Sequence, residues 1–224
     1  VTEAAEADGE RMTVQGPETL SGDASLVLPE FDAPPADPLA LLGEWLDGAA
    51  RRGVREPYAA VLATADADGR PSTRVLLVKE FDGRGLVFAG SRSSRKGAEL
   101  AARAWASMTF YWRETLQQLT VAGPAEPLAP EDSDRLFAAR PPAARAASAA
   151  SRQGRPLRDE AALREAAGTL REHPDGIPRP EDWTGYRLLP ESVEFWHGSP
   201  DRLHRRLRYD RTDAAGWTAR RLQP

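Results

Sequence analysis

From Tyr58 onward the apolar residues fall into short runs separated by turn signals, and this spacing limits the fold more than any other feature. YAAVLATA ends at Asp66-Ala67-Asp68-Gly69, STRVLLVKEF follows, and Asp82-Gly83-Arg84-Gly85 turns again into LVFAG. Runs this short, joined by Asp- and Gly-rich turns, predict an antiparallel meander rather than a βαβ unit. ASMTFYW, LQQLTVAGPAEPL, YRLLPESVEFWHG, RLHRRLRYDR and GWTARRL continue the pattern to the end of the chain. At least six or seven antiparallel strands result, and such a sheet must close or sandwich to bury its faces.

Helices are peripheral in this reading. Asp37-Pro38 supplies a carboxylate cap and a proline at the first helical position, and Leu39, Leu42, Trp45, Leu46 and Ala49 follow at helical spacing until Gly53. Ser94 caps a short helix running through Ala104. Pro130 to Arg140 and Asp159 to about Glu172 are helical, whereas the Ala/Ser/Arg stretch 141–156 is ambiguous. Residues 1–27 are acidic and aperiodic and are expected to form a flexible arm, leaving 28–224 as one domain. LPEFDAPPADP should run extended over the body.

Charge and composition remove several classes of chemistry. Net charge is −4, but residues 1–40 hold nine carboxylates against Arg11, so residues 41–224 carry +4. Only Lys79 and Lys96 are lysines; the other 28 cations are arginines. The absence of cysteine excludes disulfide scaffolds, thiolate metal sites and thiol catalysis, and fits a reducing cytoplasm. No apolar stretch is long enough for a membrane span and no secretory leader pattern is present. No Rossmann or Walker motif, HExxH spacing or nucleophile elbow occurs, and His173, His197 and His204 have no paired metal-ligand spacing. Neither a metal, a nucleic-acid partner nor a membrane partner is expected.

Two segments carry groups able to bind an anion. Arg74 in STRVLLVK lies near Ser93, Ser94, Arg95 and Lys96 of SRSSRKG, where a helix N-terminus adds donors suited to phosphate. A solvated basic turn explains the same residue types. In EFWHGSPDRLHRRLRYDR, Arg202, His204 and Arg206 alternate beside Trp196. They are expected on one face of a strand, where cations stacked two apart can hold a planar anion by charge and stacking. A positively charged edge strand that resists aggregation fits equally well.

Taken in order, RVLLVK (74–79), SRKG (94–97), the Gln118 strand, Arg140-Pro141, SRQ (151–153) and EFW…RLHRR (194–206) resemble the pyridoxamine 5'-phosphate oxidase family of FMN-binding split barrels. The resemblance spans about Leu28 to Pro224. LPEFDAPPADP, GVREP, YWRETLQQ, IPRPEDWTGY, RLRYDR and GWTARRLQP resemble the phenazine-biosynthesis branch most closely. It implies a mainly β, antiparallel split barrel with peripheral helices, forming a homodimer with FMN at the subunit interface. It also implies an oxidase acting on a small aromatic substrate, with dioxygen regenerating the flavin and yielding hydrogen peroxide. By motif position, Arg74, Val75, Leu76, Leu77, Val78 and Lys79 would run along the flavin. Arg95 and Lys96 would hold its phosphate, and Gln118, Gln153, Trp196 and Arg206 would complete the cofactor site. Arg202 and His204 would be catalytic and face the substrate, His204 orienting its ring or accepting a proton. Lys79 and Arg140 would also bind substrate. Vitamin-pathway members line their phosphate pocket with Lys, Tyr, Arg and Ser; here those positions are Lys79, Leu136, Arg140 and Ala144. Loss of two hydroxyls favours an aromatic acid, whereas Lys79 keeps pyridoxamine or pyridoxine phosphate as the alternative. A non-catalytic FMN-binding barrel is a further alternative.

Overall fold

A computed structural model describes residues 20–172, 176–212 and 216–224. His173 and the first nineteen residues of the expected arm lie outside the described residues. The chain already rests on the body before Leu28: Asp23 N–H donates to the Glu114 carbonyl at 2.8 Å, and Leu26 packs against the main core. Burial pushes the pKa of His197 down, and the Asp23 backbone nearby opposes that shift.

Helix α1 (Pro38–Arg51) starts where the sequence predicts, with the Asp37 carboxylate accepting from Leu39 N–H at 2.8 Å. Its Leu41, Leu42, Trp45, Leu46 and Ala49 are buried in the main core. Trp45 meets Phe195 edge-on at 4.9 Å, and its indole N–H donates to buried Glu30 at 2.6 Å. Each large side chain buried this way contributes about 1.5–3 kcal/mol.

The sheet is antiparallel throughout. β1 (Ala59–Ala65), β2 (Pro71–Leu77), β5 (Trp105–Trp112), β6 (Gln117–Pro127), β8 (Ser192–His197), β9 (Arg205–Arg211) and β10 (Trp217–Leu222) follow the order β10-β9-β8-β6-β5-β1-β2. β3 (Glu80–Asp82), β4 (Gly85–Ser91) and β7 (Trp183–Leu188) branch from it through β6 and curl the whole into a half-barrel. The expected three-strand meander is therefore broken. Val78 N–H still bonds the Tyr58 carbonyl, whereas Lys79 N–H bonds the Val87 carbonyl at 2.7 Å. The chain thus changes sheets between two adjacent residues, and β4 pairs with β3 and β7 rather than with β2. β6 makes the opposite corner, pairing β8 over Gln117–Ala122 and β7 over Ala125–Pro127. Gly123 permits that turn, because a Cβ there would lie 2.0 Å from the Leu189 carbonyl oxygen.

Helices α2 (Arg95–Ala102), α3 (Pro130–Ala138), α4 (Pro142–Ala150) and α5 (Glu160–Arg171) flank the sheet. The ambiguous 141–156 stretch thus contains a helix, opened by Pro142 at its first turn. Leu136, Phe137 and Ala146 from α3 and α4 form a second small core with Val87, Ile177 and Trp183. Among the described residues no helix is long and apolar enough to cross a membrane.

Candidate active site

The first cluster forms where α2 meets β1, β2 and β4. Ser94 caps α2, its hydroxyl accepting from Gly97 N–H at 3.4 Å and donating to the Ser91 carbonyl at 2.6 Å. One turn into the helix, Glu99 is buried and gathers its neighbours. Ser72 Oγ donates to it at 2.6 Å, Thr64 Oγ1 donates to it as well, Arg95 Nε reaches it at 2.8 Å and Arg74 Nη2 at 3.3 Å. Burial would raise the Glu99 pKa, but these donors outweigh it and hold the carboxyl at about 2. Arg74 is further fixed by Thr64 Oγ1 at 2.6 Å and Ser72 Oγ at 2.5 Å.

Lys96 stands apart from this carboxylate. It is only 5% exposed, and its Nζ bonds Ser94 Oγ and Gln153 Oε1, each at 3.0 Å. Both partners are uncharged. Burial, then repulsion from Arg74, lowers its pKa to about 8. Gly90 makes room for it, since a Cβ there would lie 2.2 Å from Nζ. Three cations against Glu99 and the more distant Asp182, itself held by Ser91 and Ser93, leave the cluster positive. A buried ammonium bonded only to neutral oxygens fits a phosphate on chemistry alone.

A cleft of about 440 Å³ adjoins Gln153, lined among others by Ala89, Arg140, Ala144, Ala147, Ser148 and Trp183. Arg140 donates to Ser148 at 2.8 Å and lies over the rings of Trp183 and Phe137 at 5.2 and 5.5 Å. Burial lowers the Lys79 pKa, with the Arg140 charge adding to the effect, whereas burial alone lowers that of Arg140. Leu136 belongs instead to the second core at 6% exposure, and a Cβ on Gly185 would meet its Cδ1 at 2.8 Å.

The second cluster sits on the outer face of the sheet. Gln118, Trp196 and Arg206 are direct cross-strand neighbours in β6, β8 and β9. Arg206 Nε donates to Glu194 at 2.8 Å, and the Trp196 and His204 rings approach to 4.8 Å. The expected strand face shared by Arg202, His204 and Arg206 is not formed. β9 begins only at Arg205, and Arg202 has a φ of +67°, because residues 199–202 fold into a tight turn. The Asp201 carboxylate bonds Ser199 Oγ and accepts from Leu203 N–H at 2.9 Å, while Ser199 N–H donates to His204 Nδ1 at 3.0 Å.

These two clusters lie far apart on one sheet. β2, which carries Arg74 to Leu77, is separated from β8 by β1, β5 and β6. Four steps of about 4.8 Å make that roughly 19 Å. β2 hydrogen-bonds only β1 among the described strands, and its Val75 and Leu77 are exposed while Leu76 is half-buried and Val78 buried. Sequence reasoning missed Glu99, Asp182, Ser199 and Asp201. Glu99 left a trace in its i,i+4 spacing from Arg95; Asp182 is brought in by the β4–β7 pairing alone.

Residues 46–173 match the family model described as pyridoxamine 5'-phosphate oxidase, and residues 183–224 match the pyridoxine 5'-phosphate oxidase C-terminal dimerisation region. The chain belongs to the pyridoxamine 5'-phosphate oxidase family. It is an oxidoreductase with that family's split-barrel fold. Dihydrophenazinedicarboxylate synthase from Pseudomonas chlororaphis is 46% identical over 92% of this chain and 93% of that protein. Pyridoxine/pyridoxamine 5'-phosphate oxidase from Burkholderia multivorans is also 46% identical, over 88% and 93%. Overall identity therefore does not separate the two activities. The crystal structure of PhzG from Burkholderia lata in complex with tetrahydrophenazine-1-carboxylic acid superposes with a TM-score of 0.88 at 45% identity, covering 91% of this chain and all of that one. A pyridoxamine 5'-phosphate oxidase-related, FMN binding protein from Nostoc punctiforme shares the fold at 22% identity and a TM-score of 0.69, over 83% of this chain and 96% of that one.

Proposed function

We propose that this chain is an FMN-dependent oxidase that dehydrogenates a reduced phenazine carboxylate in phenazine biosynthesis. The observation that carries the reading is the cleft wall. Ala89, Ala144, Ala147 and Trp183 offer apolar surface beside Arg140, interleaved with the hydroxyls of Ser91, Ser148 and Ser151, and Leu136 is withdrawn into the core. The apolar part of that wall suits an aromatic ring, and Leu136 and Ala144 withhold two of the hydroxyls that a phosphate ester meets in vitamin-pathway members. Losing two donors to an anion costs ~1.5–3 kcal/mol each, or roughly 10²- to 10⁴-fold in affinity.

Arg74, Arg95 and Lys96 hold the FMN phosphate in this proposal, with Gln153 beside Lys96. The backbone of Arg74 through Lys79 runs along the ring system, and Gln118, Trp196 and Arg206 complete the site. Because these half-sites lie far apart along one sheet, a second copy brings Trp196 and Arg206 to the β2 edge of the first. The match to a dimerisation region and the exposed Val61, Val75, Leu77 and Tyr111 support such a homodimer. When bound, FMN supplies the two-electron acceptor for hydride, and dioxygen restores it with release of hydrogen peroxide. The chain's own residues bind and orient: Lys79 and Arg140 attract the anion, Arg202 clamps a carboxylate, and His204 orients the substrate ring. The chain acts in the cytoplasm as a single body that includes the stretch just before Leu28.

Oxidation of pyridoxamine 5'-phosphate is the second reading, favoured by the retained Lys79, whose pKa the Arg140 charge helps to lower. Peroxide release with each substrate tests both. A reduced phenazine carboxylate should give peroxide and pyridoxamine phosphate much less. Peroxide from neither would leave a non-catalytic flavin-binding barrel.

A further inference from the structure

The turn before β9 fixes a chemical property of His204 that its sequence position does not reveal. Ser199 N–H is a backbone group and can only donate, so His204 Nδ1, 3.0 Å away, must accept. The neutral ring then carries its hydrogen on Nε2. Three contacts keep Ser199 in place. Gly198 N–H bonds the Leu116 carbonyl at 2.8 Å, Arg202 N–H bonds the Ser199 carbonyl at 3.0 Å, and Asp201 joins Ser199 Oγ to Leu203 N–H. The Trp196 ring, 4.8 Å from the imidazole, limits its rotation. Gly198 is needed for that packing, because a Cβ there would come within 3.0 Å of the Trp196 ring.

We propose that His204 serves the reaction as a hydrogen-bond donor through Nε2, directed at the anionic group of the substrate, and that Asp201 is the positioning residue that fixes this tautomer. This rests on the reading above that His204 faces the substrate. With Nδ1 occupied and Nε2 protonated, the neutral ring has no lone pair left for a substrate proton. His204 therefore binds and orients, and the proton leaves by another route.

Two measurements on the flavin-loaded protein test the proposal. In ¹⁵N-histidine-labelled protein, with the His204 signals identified by their loss in His204→Gln, the neutral ring should show Nε2 protonated and Nδ1 bare. Asp201→Ala should mix the tautomers, and Asp201→Asn, which keeps the acceptor oxygen, should restore the wild-type pattern. A protonated Nδ1 in wild type, or an unchanged pattern in Asp201→Ala, would overturn the proposal. These spectra are taken without substrate, so their outcome is independent of which substrate the enzyme oxidises. The second measurement is substrate affinity during anaerobic flavin reduction. Glutamine presents an amide N–H near the Nε2 position and asparagine near Nδ1. His204→Gln should stay within a few-fold of wild type, whereas His204→Asn should lose about 10- to 100-fold, the usual cost of a hydrogen bond to a charged group. Equal losses in both variants would overturn the donor role.

Discussion

Replacing Lys96 by methionine should make the flavin-free protein more stable and the flavin bind more weakly. Lys96 is buried, hydrogen-bonds only a hydroxyl and an amide oxygen, and has its pKa lowered from 10.5 to about 8. That depression disfavours the charged form by about 3 kcal/mol at most. The sign follows from linkage. At pH 7, below both the folded and unfolded values, the penalty is fully present. It is relieved as pH rises from about 8 toward 10.5, where the unfolded chain holds a proton that the folded one has released. Methionine keeps most of the stem's volume and removes the charge. Urea unfolding of flavin-free protein at pH 7 should therefore find Lys96→Met more stable by up to about 3 kcal/mol, with the difference shrinking above pH 8. FMN titration by fluorescence quenching should show about 10- to 100-fold weaker binding, because a charge-assisted contact to phosphate is lost. A variant that is less stable than wild type at pH 7 yet binds FMN equally well would refute this account of the buried lysine.

Other outcomes follow from the same geometry. Leu136→Tyr should lower stability by about 1–3 kcal/mol in thermal unfolding, because Leu136 is packed against Gly185. Ala144→Ser should leave stability unchanged and lower the KM for pyridoxamine phosphate, since it adds a hydroxyl to the cleft. Truncation to begin at Leu28 should cost about 1–2 kcal/mol by removing the Asp23–Glu114 bond and the Leu26 packing. Light scattering with absorbance should find flavin only in a dimer; a flavin-loaded monomer would contradict the shared site.

Local features of the fold were legible where local chemistry decides them. Asp37-Pro38 and Ser94 mark helix starts because capping involves residues two or three apart. The sheet change at Val78-Lys79 was hidden, because alternation fixes which face a side chain takes and not which strand lies beside it. The 141–156 stretch was ambiguous for a different reason: its alanines fit a helix but give little contrast between faces. At the site, the basic motif around Arg95 and Lys96 was readable, whereas the role of Glu99 in binding both Arg74 and Arg95 depends on the fold of β1 and β2. Arg202 and His204 were expected on a strand from their spacing of two. The Asp201 turn overrides that period by placing Arg202 at positive φ, a conformation alternation cannot signal.

Choice of substrate separates the two readings of the site, and the rate at which bound FMN is bleached reports that choice. Anaerobic stopped-flow mixing at equal concentrations compares a reduced phenazine carboxylate with pyridoxamine 5'-phosphate on the same preparation. Fast bleaching by the phenazine and slow bleaching by pyridoxamine phosphate is the predicted result. Faster bleaching by pyridoxamine phosphate would contradict the proposal and assign the cleft beside Arg140 to a phosphate ester.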